Sequence, residues 1–150
     1  MIAAADLLLE DWDVAADVWS VTSFNELRRE GLLAERWNLL HPEEPPRSAT
    51  VTRELSGRRG PVVAATDYVK AHADQIRPFV PGRYVALGTD GFGRSDTRER
   101  LRDFFEVNRY YVAAAALKAL MDDGEVPPST VAKALEKYGI DPAKPPPARS

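Results

Sequence analysis

Three short apolar runs, VAADVWSV at 14–21, VVAAT at 62–66 and YVAL at 84–87, are separated by stretches of helical periodicity. That alternation constrains the fold most, because strands spaced by helices are joined by crossovers and therefore run parallel. It predicts βαβ units: an α/β fold with a small, mainly parallel sheet flanked by helices. Three strands are few against the roughly four to six of an ordinary open sheet. A strand ahead of Met1 would supply the deficit, so the sheet is expected to lack its first strand.

The helical stretches carry recognisable ends. MIAAADLLLEDWD reads as an amphipathic helix that starts without a capping residue, as if the chain began inside a larger protein. Ser23 has capping-box spacing with Glu26. Beyond it, the apolar positions suggest two short helical pieces broken at Gly31 and stopped by His41-Pro42. Further helices are expected in SATVTRELSG, ending at Gly57, and in DYVKAHADQIRPFVPG, ending at Pro78. The remainder is helical: TRERLRDFFE, NRYYVAAAALKALMDDG, then PPSTVAKALEKYG between Pro127-Pro128 and Gly139. One domain over 1–141 and a Pro-rich, disordered tail over 142–150 complete the layout.

Composition removes several functions. Twenty Lys and Arg against 23 Asp and Glu give a net charge of −3, without the cationic surplus of a nucleic-acid binder. The absence of cysteine excludes thiolate catalysis and zinc–thiolate sites and suits the reducing cytoplasm. The N-terminal run reaches acidic residues too early to span a bilayer, so no membrane partner is expected.

The stretch LGTDGFGRSDTRERLRDFFEV, 87–107, invites a ligand. It runs from a strand into a helix, so backbone N–H groups near Ser95, Asp96, Thr97 and Arg98 could face an anion. Asp67 and Tyr68, at the end of the 62–66 run, lie where open α/β sheets place their ligands. Against this, the spacing of Gly88, Gly91 and Gly93 matches neither the dinucleotide nor the phosphate-loop fingerprint, and Asp90 and Asp96 would repel phosphate. A plainer reading gives every residue a conformational task. The glycines serve the turn, Asp96 caps the following helix with Glu99 completing a capping box, and Asp67 caps the helix beginning near Val69. Leu101, Phe104 and Phe105 then form that helix's buried stripe.

The other candidates are weaker. His41 and His72 have no metal-ligand spacing, and Arg28-Arg29 and Arg58-Arg59 read as solvated faces. Trp12, Trp19 and Trp37 read as core or interface anchors.

Three blocks carry a family resemblance: VWSVTSFNELRREGLLAERWNLLHPEE, ATDYVKAHADQIRPFVP and LGTDGFGRSDTRERLRDFFEVNRYYVAAAAL. From about Ile2 to Asp141 the chain resembles the C-terminal domain of the homodimeric pyruvate dehydrogenase decarboxylating component. More distantly, Phe92, Gly93, Ser95, Phe104 and Phe105 are similar to the transketolase C-terminal domain. The resemblance implies a parent enzyme that decarboxylates pyruvate on thiamine diphosphate and Mg²⁺ and acetylates the lipoyl group of an acetyltransferase component. In that family the cofactor is held by a Gly-Asp-Gly motif followed by an asparagine, and nothing in this sequence matches it. The chain is therefore expected to bind no cofactor, to be inactive alone, and to serve assembly with upstream thiamine domains or a second copy. The alternative is a standalone anion- or metabolite-binding module using the 88–96 loop.

Overall fold

The computed structural model describes residues 1–149. Its sheet has two parallel strands, β1 (Val62–Ala65) and β2 (Tyr84–Leu87), in register Val62 to Tyr84 through Ala65 to Leu87. Around them lie seven α-helices among the described residues: α1 (Ile2–Trp12), α2 (Phe24–Leu40), α3 (Thr50–Leu55), α4 (Lys70–Asp74), α5 (Arg98–Phe104), α6 (Arg109–Asp122) and α7 (Pro128–Lys137). The α/β class and the positions of the second and third apolar runs agree with the sequence reading.

The two-residue period of the strands divides the core. Val62, Ala64 and Ala86 pack against a cluster built from Phe24, Val51, Ala73, Ile76, Phe79 and Tyr84, supplied by α2, α3, α4, the 3-10 turn at Arg77–Phe79 with Ile76 before it, and β2. Alternate residues face the other way, towards α6. There Leu8, Ala113, Leu117 and Ala134 join α1, α6 and α7, and Leu117 is completely buried. The small side chains of Ala113 and Ala114 let α6 approach its neighbours closely, which explains its nearly unbroken apolar sequence.

Three expectations fail here. The 14–21 run forms no strand; α1 ends at Asp13 in the left-handed conformation, Val14 N–H bonds back to Leu8 C=O at 3.0 Å, and the chain continues without regular structure. β-branched residues favour a pleated, paired surface, and no described strand lies beside this one to provide it. Val18, Trp19 and Val21 are consequently exposed, and the segment is tethered by Asp17 to Arg58 at 2.7 Å.

Gly31 does not break a helix either. α2 is continuous, and Gly31 gives the Phe79 ring room to approach; a Cβ there would lie 2.6 Å from that ring. Finally, the stripe of α5 is only half-buried: Leu101, Phe104 and Phe105 all retain solvent contact. Ser23 does cap α2, accepting from Glu26 N–H at 3.2 Å, but the Glu26 carboxylate turns to Arg29 rather than back to the cap.

The segment after α7 lies along α5 and α6. Lys144 Nζ donates to the carbonyls of Asp103 at 2.6 Å and Phe104 at 3.2 Å, and a 3-10 turn follows at Pro147–Arg149. Ser150, the end of the stretch read as a disordered tail, lies outside the described residues.

Candidate functional site

The glycine loop is bound to the loop after β1. Thr89 N–H donates to Tyr68 C=O and Thr89 Oγ1 to Asp67 C=O, each at 2.8 Å. Asp90 Oδ1 accepts from Lys70 N–H at 2.8 Å, so it satisfies a first-turn donor of α4 from twenty residues away. Among the described residues the expected cap, Asp67, makes no such contact; its carboxylate instead faces Arg102 at 3.8 Å.

Two glycines have physical tasks. Gly88 is buried so tightly that a Cβ would lie 2.6 Å from both Lys70 N and Tyr68 O. Gly91 adopts φ 118°, where a Cβ would also meet Pro147 O at 2.7 Å. Gly93 has open space around it.

The cap of α5 sits one residue later than expected. Thr97 is the N-cap, its hydroxyl facing Arg100 N–H at 3.4 Å, while Asp96 Oδ1 accepts from Thr97 N–H at 2.7 Å. A seven-residue helix with those donors already engaged offers little to an anion. Glu99 makes no reciprocal capping bond among the described residues.

The structure divides the predicted ligand residues among three places. Ser95 and Asp96 line a shallow hollow of about 300 Å³ with Arg94, Arg100, Leu101 and Phe104, where the Arg94 guanidinium lies 4.0 Å from the Phe104 ring centre. Tyr68 is exposed and leans on His72, their ring centres 4.8 Å apart. Asp67, Thr97 and Arg98 line a larger open cleft of about 1300 Å³ at the C-terminal end of β1. Arg102, Arg109, Tyr110, Tyr138 and Lys144 complete its charged and aromatic wall. Sequence spacing gave no signal for this group, because α5, α6, α7 and the C-terminal segment each contribute separately.

The shifted ionisations belong to tethers between elements. A hydrogen bond to Lys137 holds Asp11 below the usual carboxylate range. Burial raises the Tyr138 hydroxyl, which donates to Asp11 at 3.0 Å and accepts from Trp12 Nε1 at 2.8 Å, joining α1 to α7. Burial also pushes Tyr84 up to about 12; its hydroxyl donates to Ala73 C=O at 2.8 Å. Hydrogen bonding to Asp123 raises Arg83 and so ties the start of β2 to the end of α6. His41 stacks on Trp37 with ring centres 3.6 Å apart, whereas His72 packs against Phe24 and Tyr68; no described cluster of three potential metal ligands includes either. No described helix is long and apolar enough to cross a membrane.

Comparison with known proteins agrees with this architecture. Residues 1–108 match the transketolase-like TK C-terminal domain model. Among curated relatives, the pyruvate dehydrogenase E1 component of Cupriavidus necator is 63% identical over 147 residues, covering 98% of this chain and 16% of the relative. The E1 component of Pseudomonas aeruginosa is 60% identical over 142 residues, covering 94% of this chain and 16% of the relative. That of Mycolicibacterium smegmatis is 53% identical over 140 residues, covering 93% and 15%. The chain thus spans about a sixth of the length of these relatives. It belongs to the transketolase-like C-terminal domain family, as a domain matching those of pyruvate dehydrogenase E1 components.

Proposed function

We propose that this chain is an assembly domain of a pyruvate dehydrogenase E1-type enzyme, supplying no catalytic group itself. One observation carries the reading: the open edge of β1. Val62 and Thr66 direct their N–H groups to Arg83 and Leu87 on the β2 side. In a parallel ladder the polar groups of Val63 and Ala65 then point outward, where no described strand pairs with them. All four residues of β1 remain half-buried rather than buried, and the exposed Val18, Trp19 and Val21 belong to the neighbouring tethered segment. An open edge beside apolar surface favours strand addition from another domain or chain.

On this reading the parent enzyme decarboxylates pyruvate on thiamine diphosphate and Mg²⁺ and passes the acetyl group to a lipoyl-bearing acetyltransferase component, in the cytoplasm. The residues in hand do not fit that cofactor. Neither the Gly-Asp-Gly…Asn pattern nor a described cluster of three carboxylate or imidazole ligands is present. The upstream thiamine domains, or a second copy of this chain, are the expected partners. Pyruvate decarboxylation assayed with added thiamine diphosphate and Mg²⁺ tests the division of labour. The isolated chain should show none, and activity in it would refute the reading.

A further inference from the structure

We propose that the cleft at the C-terminal end of β1 binds a small anion bearing a phosphoryl group. This is a site distinct from the strand edge, and it does not rest on the assembly reading.

The cleft collects cations on a chain that is negative overall. Arg98, Arg100, Arg102, Arg109 and Lys144 line it, against the carboxylates Asp67, Glu99 and Asp103, while the whole chain carries a net charge of −3. Asp67 faces Arg102 at 3.8 Å, while Asp103 accepts from the neutral Asn108 side-chain amide at 2.9 Å and keeps its charge. Asp103 and Glu99, the latter on the exposed first turn of α5, have no cation partner among the described residues.

Arg100 has Asp96 at 4.0 Å, and Lys144 is held by the Asp103 and Phe104 carbonyls and by Glu106 at 3.8 Å. Arg98 and Arg109 make no ion pair among the described residues; Arg109 lies over the Tyr110 ring, 5.6 Å from its centre. Arg98 and Arg109 are thus the two cleft guanidinium groups that no carboxylate holds within ion-pair distance among the described residues.

The location and chemistry agree. Open α/β sheets bind ligands beyond the carboxyl ends of their strands, where Ala65, Thr66 and Asp67 lie here. A guanidinium presents a planar fork of donors that matches phosphoryl oxygens, and two such forks suit a dianion better than a single carboxylate. Lys144 adds a fixed positive charge on the same wall, with only 22% of its side chain exposed. Asp90 is engaged at Lys70 N–H, and Asp96 lines the smaller hollow, 4.0 Å from Arg100, which borders both.

The test is calorimetric titration of the 150-residue chain with inorganic phosphate, pyrophosphate and glycerol 3-phosphate, mapped by amide chemical-shift changes. Saturable binding centred on 97–110 is expected, weakened roughly tenfold by R98Q or R109Q and more by the pair. R36Q, which removes an exposed charge on α2, should leave it unchanged, and thermal melts confirm that each variant folds. An ester binding more tightly than inorganic phosphate would identify a phosphorylated metabolite; equal affinity would identify free phosphate. No saturation by about 10 mM, or equal loss in R36Q, would overturn the proposal.

Discussion

Gly88→Ala and Gly93→Ala make the same chemical change five residues apart in one loop, and their effects should differ sharply. At Gly88 the new Cβ would lie about 0.8 Å inside ordinary van der Waals contact at 3.4 Å, against the backbone of Tyr68 and Lys70 rather than a yielding side chain. Relief requires the two loops to separate. Forced overpacking costs about 1–3 kcal/mol, and loosening the Thr89–Tyr68 and Asp90–Lys70 hydrogen bonds adds about 1 kcal/mol. The expected loss is therefore about 2–4 kcal/mol, or on the order of 5–15 °C in Tm for a chain of this length. At Gly93 nothing lies within 4 Å of a Cβ and the backbone is outside the left-handed region, so alanine should be neutral or stabilising by up to about 1 kcal/mol. Urea unfolding followed by tryptophan fluorescence measures both. A Gly88→Ala protein within about 0.5 kcal/mol of the parent, or a Gly93→Ala protein equally damaged, would refute a loop held by close backbone contact.

Leu117→Ala should cost about 3–5 kcal/mol in the same assay, since Leu117 is fully buried where α1, α6 and α7 meet. Tyr84 supplies a pH test. Its folded pKa, about 12, lies above the unfolded value of 10.0, so its contribution is complete below pH 10 and is lost as pH rises towards 12. Up to about 2 kcal/mol of alkaline destabilisation should disappear in Tyr84→Phe, which at neutral pH loses about 1–3 kcal/mol because Ala73 C=O loses its donor. Equal alkaline slopes in parent and variant would contradict this. Ser23→Ala should cost about 1 kcal/mol through loss of the α2 cap, read from the same urea curves.

Local pattern showed much of this fold because it reports what a segment can bury. The short apolar runs of β1 and β2, the Ala- and Leu-rich stretch of α6 and the Pro-to-Gly limits of α7 are legible for that reason. The same signal misled at 14–21, where a sequence can show a surface suited to pairing but not whether a partner lies beside it. Gly31 looked like a helix breaker because its use, a close approach by Phe79, comes from forty-eight residues away. The sequence offers Asp67 as the cap of α4, but Asp90 accepts from Lys70 N–H across twenty residues. Asp96 was one position out because Asp and Thr are both competent caps and lie side by side. Of the site, Asp67, Thr97 and Arg98 were visible as residues at an expected strand end and helix start. Arg102, Arg109 and Lys144 were not, since only tertiary packing brings their elements around one cleft.

The most direct test of the assembly claim is sedimentation velocity on the chain mixed with the portion of the Cupriavidus necator relative that this chain does not match. Parent protein and Val63→Pro should be compared. Proline at 63 removes an N–H on the open edge and leaves the β1–β2 hydrogen bonds in place. The account predicts that the parent chain co-sediments and restores pyruvate decarboxylation, while a folded Val63→Pro chain does neither. A parent chain that sediments alone as a stable monomer, or a Val63→Pro chain that assembles equally well, would contradict it.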